Sequence, residues 1–335
     1  MCQKMKNSLR GKAILFIAPK FFAYEEQIKN ELLRRGATVD WLRDRPFDSP
    51  LLVGLVKICA KLLFPITNKI YRKNLAAFAE DKYDIILVIN GQTLSPRFLK
   101  HLISLYPGAD KILYLWDSIK NRPSVMKNVF AFDRIYTFDP IDAQRFGWNF
   151  RPLFYVDHSK ENPLEEIAYD LSFVGTVHSD RYKIAKRLKE SLPKELNFYL
   201  YFYVQSVWVY LVYKLFKPCM WAAKKTEFNF KPLSKKDLYK TFQTSIIILD
   251  IEHPSQVGLT MRTFETLGAH KKLVTTNAGI KNYEFYNESN ICVIDRENPF
   301  VSPEFFKLPF VQLNQNLRKQ YSIEGWLDDL LAVSK

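Results

Sequence analysis

The sequence predicts two α/β domains in tandem, each built on a doubly wound parallel β-sheet. Short apolar runs typical of buried strands alternate with amphipathic runs of helical period between residues 12 and 157. A polar, acidic stretch with a proline at 158–169 interrupts this alternation, which then restarts. The length of 335 residues also suits two domains of ordinary size.

In the first domain, an apolar run, an amphipathic helix ended by Gly36 and a second strand form a βαβ unit, which implies parallel strands. A later helix has Ser95 as its N-cap and Pro96 at its first position. The predicted strands are "KAILFIA" (12–18), "ATVDWL" (37–42), "YDIILVIN" (83–90), "KILYLWD" (111–117), "RIYTFD" (134–139) and "RPLFYVD" (151–157), and the helices are "YEEQIKNELLRRG" (24–36) and "SPRFLKHLISLY" (95–106).

The second domain repeats the rhythm, with strands and helices again in alternation. Its predicted strands are "DLSFVGT" (170–176), "LNFYLYFYV" (196–204), "SIIILDI" (245–251), "KLVTTN" (272–277) and "ICVID" (291–295), and its helices are "SDRYKIAKRLKESL" (179–192), "SKKDLYKTF" (234–242), a run beginning near Thr260 and a C-terminal run at 310–333. We therefore expect an N-terminal domain at 1–157, a linker at 158–169 and a C-terminal domain at 170–335, whose last helix can pack back on the N-terminal domain.

The charge balance is basic, with 49 Lys and Arg against 35 Asp and Glu, a formal net charge of +14. This favours anionic partners or, equally, a diffuse basic surface. The four cysteines lack metal-ligand or CxxC spacing and suit free thiols in a reducing compartment. The N-terminus has no signal-peptide apolar region, so we expect a cytoplasmic protein.

Several common motifs are missing from the sequence. There is no GxxxxGK[ST], GxGxxG, HExxH or GxSxG pattern, and the five histidines are scattered. ATP hydrolysis by a P-loop, NAD-type binding and a zinc site therefore have no support, and we expect neither a metal nor a cofactor. Nucleic-acid binding rests on charge alone, because no known motif for it occurs, and we expect no nucleic-acid partner.

Two apolar segments, at 51–73 and 198–225, carry interspersed or terminal basic residues. The charge-free part of the second, 198–213, is shorter than the roughly 18–20 residues that a membrane-spanning helix needs. We predict a strand followed by a helix that lies on a membrane interface or on another protein. The alternative is a wholly buried core helix.

Polar residues follow two predicted strands of the second domain, where ligands bind in open parallel sheets. They are Gly175, Thr176, His178 and Arg181 after "DLSFV", and residues 252–260 after "SIIILDI". Thr260 is a good N-cap for the helix that follows, and the N–H groups at such an end suit a phosphate. Gly258 permits close approach of the backbone.

Arg262 and Glu265 are three residues apart on that helix and share a face. They could form an intrahelical ion pair worth about 0.2–0.5 kcal/mol. They could instead contact a nucleotide, with the arginine toward a diphosphate and the glutamate accepting hydrogen bonds from ribose hydroxyls. The spacing fits both interpretations equally.

Three stretches resemble GT-B glycosyltransferases, particularly the CgeB-like group. "GLTMRTFETLGAHKKLVTTN" (258–277) is similar to the donor-site segment, in which an RxFE pattern precedes a small-residue turn and a strand. "RPLFYVDHSKE" followed by "YDLSFVGTVHSDRYK" (151–183), and "FDRIYTFDPIDAQRFG" (132–147), are similar to other segments of that group, in the same order and spacing. The first 125 residues match only in architecture.

The resemblance implies two Rossmann-like domains that face a cleft, with a nucleotide-diphosphate sugar on the C-terminal domain and the acceptor on the N-terminal domain. Glu265 would contact ribose. Arg262 and the backbone amides around Gly258, Leu259 and Thr260 would meet the diphosphate. Gly175, Thr176 and Arg181 would line the opposite wall, with His178 also on the donor side. GT-B enzymes generally use basic groups and a helix N-terminus in place of a metal.

This sequence departs from the ExxxxxxxE pattern of many retaining GT-B enzymes, because Val257 stands where the first glutamate belongs. A general base would come from the N-terminal domain, and Asp117 after a strand end is the first candidate. Asp139 is also placed after a strand, and either aspartate could simply be an N-cap or turn residue. Asn90 and Gly91 are expected to shape the acceptor side.

We therefore predict a glycosyltransferase that acts on a glycan or lipid-linked acceptor in bacterial surface polysaccharide or lipopolysaccharide synthesis. We expect peripheral contact with the anionic inner face of the cell membrane. The alternative is a protein of the same fold that binds a nucleotide or glycan without turnover.

Overall fold

The computed structural model describes residues 9–47, 60–78, 80–157 and 166–332. The chain divides into two compact units: residues 1–152 together with 326–335, and residues 153–325. Most of the predicted linker (158–165) and part of the first apolar segment (51–59) lie outside the described residues.

The first unit contains a six-stranded sheet in the order β2-β1-β3-β4-β5-β6, and every pairing is parallel. Its strands are β1 (Ala13–Pro19), β2 (Thr38–Asp44), β3 (Ile85–Ile89), β4 (Asp110–Leu115), β5 (Arg134–Thr137) and β6 (Asn149–Phe150). Its helices are α1 (Tyr24–Arg34), α2 (Phe64–Leu75), α3 (Pro96–Leu105) and α4 (Pro140–Phe146), with 3-10 turns at Ala60–Leu63, Pro123–Lys127 and Val129–Ala131.

The strand pattern and the helix-ending residues of this unit have the structural roles that the sequence predicts. All residues of β1 and β3 are buried, which is typical of central strands in a parallel sheet. The Ser95 hydroxyl accepts a hydrogen bond from the Phe98 amide (3.0 Å) and caps α3. Gly36 has a φ of +91°, the left-handed conformation that commonly ends a helix such as α1.

The second unit contains a six-stranded parallel sheet in the order β12-β11-β10-β7-β8-β9. Its strands are β7 (Tyr169–Thr176), β8 (Phe198–Tyr203), β9 (Phe228–Asn229), β10 (Ser245–Asp250), β11 (Lys272–Thr275) and β12 (Ile291–Val293). Its helices are α5 (Arg181–Ser191), α6 (Val207–Phe216), α7 (Lys235–Gln243), α8 (Met261–Gly268), α9 (Pro303–Lys307) and α10 (Gln315–Tyr321), with 3-10 turns at Pro218–Met220, Lys225–Glu227 and Ala278–Asn282. The prediction of two α/β domains with parallel sheets is confirmed.

The last helix, α11 (Ile323–Leu331), starts in the second unit and continues into the first. Trp326 is fully buried, and its ring meets the Tyr114 ring edge-on with centroids 4.8 Å apart. Asp328 pairs with the buried Arg35 (2.7 Å). These contacts hold residues 326–331 against the first sheet.

Two sequence predictions are wrong. The stretch at 151–157 forms no strand, because its one ladder contact is an isolated bridge between Tyr155 and Ser322. Its apolar residues are buried all the same, which explains the strand-like pattern. The C-terminal run at 310–333 is not one helix, because the chain is extended at Ser322, where α10 ends (ψ 163°).

The aromatic segment forms a strand and then a helix, β8 and α6, as predicted. The alternative of a wholly buried helix is wrong, because Trp208 is 78% exposed and Phe216 is 74% exposed. Among the helices of the described part of the chain, none combines the length and apolar character needed to span a membrane.

Candidate functional site

In each sheet, the order in which the chain adds strands reverses once. Polar residues collect at these two reversal points. In the second unit the chain runs outward from β7 to β8 and β9, then returns to the other side of β7 as β10. In the first unit the equivalent reversal lies between β1 and β3. The carboxyl ends of the strands at such a switch point form a crevice that ligands occupy in open α/β sheets.

The end of β7 supplies the first part of the candidate donor site. Gly175 lies on this strand, and a methyl group there would come 2.8 Å from Phe173 Cζ, so any side chain would displace that ring. Thr176 ends the strand and leads through His178 to α5, which begins at Arg181. All four predicted residues of this segment therefore lie at the carboxyl edge of β7.

His178 is held as a neutral imidazole. Burial lowers its pKa to about 3, and the positive charge of Arg181 adds to the effect. Its Nδ1 lies 3.1 Å from the Ser179 hydroxyl, and its ring centroid lies 5.8 Å from that of His253. At neutral pH the ring therefore offers hydrogen bonds to a ligand but no charge.

The end of β10 and the start of α8 supply the second part. Thr260 is the N-cap of α8: its hydroxyl donates to Asp250 Oδ2 (2.6 Å) and accepts from the Thr263 amide (3.4 Å). The Thr263 hydroxyl also donates to Asp250 (2.9 Å). The buried backbone of Gly258 and Leu259 leads into this turn. Asp250 thus fixes the position of the helix N-terminus, the end that favours anions.

Arg262 and Glu265 form the ion pair that their spacing allows, with Arg262 Nη1 2.9 Å from Glu265 Oε2. Arg262 Nη2 donates to the Val174 carbonyl of β7 (3.1 Å), and the guanidinium lies over the Phe242 ring at 4.7 Å. The two charged side chains are 19% and 21% exposed. The pair therefore joins α8 to β7 and keeps both charged groups partly open to solvent.

Arg181 makes the reciprocal connection from β7 to β10. Its Nε donates to the Ile251 carbonyl (2.6 Å), just beyond the end of β10. Burial lowers its pKa, the Asp250 carboxylate opposes that shift, and the positive charge of Arg262 adds to it. Since burial, the largest of these effects, disfavours the cation, a bound anion would stabilise the charged form. The switch point between β7 and β10 therefore carries two guanidinium groups suited to a diphosphate.

A third arginine at this edge was missed from the sequence. Arg296 bridges Asp180 (2.8 Å) and the buried Glu252, and its Nη2 also donates to the Glu252 carbonyl (2.8 Å). Thr276 donates a further hydrogen bond to Glu252. A usable signal existed, because Arg296 closely follows the short strand β12, as the predicted residues follow β7 and β10.

In the first unit, the predicted acceptor-side residues lie beside the switch point between β1 and β3. Asn90 adopts a left-handed φ of +60°, accepts from the Trp116 amide (3.0 Å) and donates to Asp117 Oδ2 (3.1 Å). Asp117 also accepts from Arg122 Nε (3.3 Å). Gly91 shares the left-handed conformation, which glycine adopts without strain.

The two candidate bases differ in their surroundings. Asp139 is the N-cap of α4 and accepts from the Ile141 amide (2.9 Å), so the capping interpretation applies to it. Asp117 caps no described helix, and its side chain is 35% exposed. Asp117 therefore stays the better candidate for proton transfer.

An aromatic cluster at the same edge was also missed. Phe21 and Phe22, just after β1, are 41% and 61% exposed, and the Phe21 ring lies 5.8 Å from that of Trp116. Phe22 and Ala23 both have positive φ, 49° and 53°. Left-handed backbone at residues other than glycine is strained, and such strain concentrates at functional sites. No periodic pattern in the sequence predicts this aromatic cluster.

Across the described residues, no three His, Cys, Asp or Glu side chains are grouped so as to hold a metal ion. No family model matches the chain, and no curated protein matches it in sequence. Solved structures do match its fold.

An α-glucosyltransferase in complex with UDP and a 13-mer DNA matches 96% of this chain and 93% of its own, at 11% identity and a TM-score of 0.53. HepE of Anabaena in complex with UDP and glucose matches 95% of this chain and 98% of its own, at 10% identity and a TM-score of 0.54. The same protein with UDP-glucose gives a TM-score of 0.52 at 11% identity. With its two six-stranded parallel sheets, the chain has the two-domain GT-B fold that the sequence predicts. The likeness to the CgeB-like group stays a prediction.

Proposed function

We propose that the protein is a glycosyltransferase that takes a sugar from a nucleotide-diphosphate donor. One observation carries the proposal: in a GT-B fold, Arg181, Arg262 and the N-terminus of α8 meet at the switch point between β7 and β10. Two guanidinium groups and a helix N-terminus at one edge would stabilise the diphosphate as it departs. The reaction then needs no bound metal.

The donor is proposed to lie at this edge with its ribose near Glu265. The carboxylate would accept hydrogen bonds from vicinal ribose hydroxyls and would exchange part of its pairing with Arg262 for them. Arg262 would turn to the diphosphate. Gly175, Thr176 and His178 would line the same site from the end of β7.

In the transfer step, the acceptor hydroxyl attacks the anomeric carbon of the donor sugar. Its proton passes to Asp117, the new C–O bond forms, and the bond from that carbon to the diphosphate oxygen breaks. The nucleoside diphosphate leaves with the electron pair. Asn90, Gly91 and the exposed rings of Phe21 and Phe22 would position the acceptor, since aromatic faces suit the apolar faces of sugar rings.

The acceptor is proposed to be a glycan or a lipid-linked glycan of bacterial surface polysaccharide or lipopolysaccharide synthesis, met at the inner face of the cell membrane. The basic net charge of +14 supports attraction to an anionic membrane surface. The protein would act from the cytoplasm as a peripheral enzyme.

A panel of nucleotide sugars tests the donor assignment. Thermal unfolding would be followed with UDP-, GDP- and dTDP-sugars, and with a CMP-sugar as the monophosphate control. UDP-sugars come first, because the two neighbours hold UDP. A rise in Tm with one diphosphate sugar and no rise with the control is expected. If the protein is folded and its Tm does not rise with any of these nucleotide sugars, the proposal is refuted.

Release of nucleotide with and without acceptor then tests turnover. Asp117→Asn should abolish acceptor-dependent release and leave donor affinity unchanged, because this residue belongs to the first unit and the donor residues to the second. A glycan acceptor and a DNA duplex both belong in the panel, since one neighbour is bound to DNA. We expect release with the glycan only.

The second candidate is a protein that binds the nucleotide sugar without turnover. One observation favours it: Asp117 is held by Asn90 and Arg122, which compete for the carboxylate that a base needs free. Tight donor binding with no release in the presence of any acceptor would select this function.

A further inference from the structure

The helix α6 has an apolar face that no described part of the chain covers. Trp208, Leu211, Val212 and Leu215 are 78%, 47%, 53% and 70% exposed, and their spacing of i, i+3, i+4 and i+7 places them on one side of the helix. Phe216 and, beyond the helix, Trp221 extend the exposed apolar surface, at 74% and 62%. These six residues are called the α6 face below.

The opposite side of α6 holds the helix firmly in place. Tyr210 is buried, and its hydroxyl donates to the Ala223 carbonyl (3.2 Å). Val209 and Tyr213 pack against the core of the second unit. The Ser206 hydroxyl caps the helix by accepting from the Val209 amide (3.3 Å). The α6 face is therefore a surface presented by an anchored helix.

The stretch of chain that carries the α6 face is basic. Between Glu195 and Glu227 the chain has no acidic residue and four lysines, at 214, 217, 224 and 225. Glu227 already binds the Tyr182 hydroxyl (2.7 Å) and Lys186 (3.2 Å). Lys217 lies over the Tyr213 ring at 4.1 Å, on the side of α6 that packs against the core, whereas Lys224 and Lys225 are exposed just beyond Trp221 in the chain. The complement of such a surface is apolar in its centre and anionic at its edge.

We propose that the α6 face is an in-plane anchor for an anionic lipid bilayer. A surface helix with tryptophans at its boundary, an apolar face and a basic rim inserts into the zone between headgroups and acyl chains. Ten residues make a helix about 15 Å long, which is too short to span and suited to lie flat. Lysines near the headgroups add to the affinity in proportion to the anionic lipid content.

This inference deepens the proposed function, because it assigns the surface that would bring the enzyme to a lipid-linked acceptor. It is tested without donor or acceptor. The chain of 335 residues would be sedimented with vesicles of phosphatidylcholine alone and of phosphatidylcholine mixed equally with phosphatidylglycerol. Binding to the mixed vesicles, weaker binding to the neutral ones and a loss of binding with added salt are expected.

Variants of exposed residues locate the binding surface. Trp208→Ser combined with Phe216→Ser should lower partitioning at least about tenfold, because each removes a large apolar group from the bilayer. Phe300→Ser is the matched control: this phenylalanine is 59% exposed in the same unit and lies outside the α6 face. It should leave partitioning unchanged. Changing Lys217, Lys224 and Lys225 to Gln should lower it roughly fivefold per charge on mixed vesicles only.

Three results would overturn the inference: no binding of the wild-type protein to mixed vesicles, equal binding of the Trp208/Phe216 variant, or self-association that the variant loses without any vesicle binding. The last would assign the α6 face to a second copy of the chain. Should the double variant fail to fold, the lysine variant decides. Donor-induced thermal shifts of the folded variants report on the proposed function separately, so the two proposals fail independently.

Discussion

The pair Arg262 and Glu265 gives the sharpest test, because an ion pair and a ribose contact predict different magnitudes. The perturbation is Glu265→Ala, and alanine, as the best helix former, does not penalise α8. A helical pair three residues apart, 2.9 Å long and about one-fifth exposed on each side, contributes about 0.2–1 kcal/mol. In a unit of this size, this lowers Tm by no more than roughly 2–4 °C.

A carboxylate that accepts hydrogen bonds from ribose contributes about 1.5–3 kcal/mol to donor binding. Its loss raises the donor Kd by roughly 10- to 150-fold. Titration calorimetry with the nucleotide sugar that gives the largest thermal shift measures this value. The expected result is a large rise in Kd with a small fall in Tm.

The control for this variant is Glu284→Ala, an exposed glutamate of the same unit outside the site. It should change neither quantity. A donor Kd for Glu265→Ala within about twofold of wild type, in a folded protein, would show that the pair serves only to join α8 to β7. The assignment of Glu265 to ribose would then be abandoned.

Three further outcomes concern stability. Thr260→Ala should lower the free energy of unfolding by about 1–2 kcal/mol in denaturant titrations, through loss of the cap and of the Asp250 hydrogen bond, and Thr260→Ser should restore most of it. His178 has a pKa of about 3 in the folded protein against an ordinary value of 6.5, so the free energy of unfolding is unaffected by this group above pH 6.5 and falls as the pH drops toward 3. Up to about 2 kcal/mol of the free energy of unfolding should be lost at pH 5. The His178→Asn variant should show a smaller loss than wild type. Gly268→Ala should cost about 1–3 kcal/mol, because its methyl group would lie 2.4 Å from the Tyr155 ring, whereas Gly108→Ala, with open space around it, should be neutral in the same thermal scan.

The reciprocal contacts of the candidate donor site could not be predicted from the sequence. Ligands bind beyond the carboxyl ends of parallel strands, so the sequence indicates the stretches after β7 and β10. Thr260 is predicted as an N-cap because capping depends on residues three apart. The Arg181–Ile251 and Arg262–Val174 hydrogen bonds join residues 70 and 88 positions apart. They exist because β10 returns to the side of β7, and strand order is a property of the whole sheet.

The sequence by itself determined the two α/β domains, their parallel sheets and the short-range caps at Ser95 and Thr260, since each of these depends on periodicity or on neighbours within one turn. Only the tertiary structure decided which strands adjoin, that Arg296 lies beside the candidate donor site and that α6 turns an apolar face outward. The physical reason is that an apolar pattern in the sequence indicates which side chains favour burial but does not indicate which surface covers them. That surface is supplied by residues far along the chain or, on α6, by no described part of it.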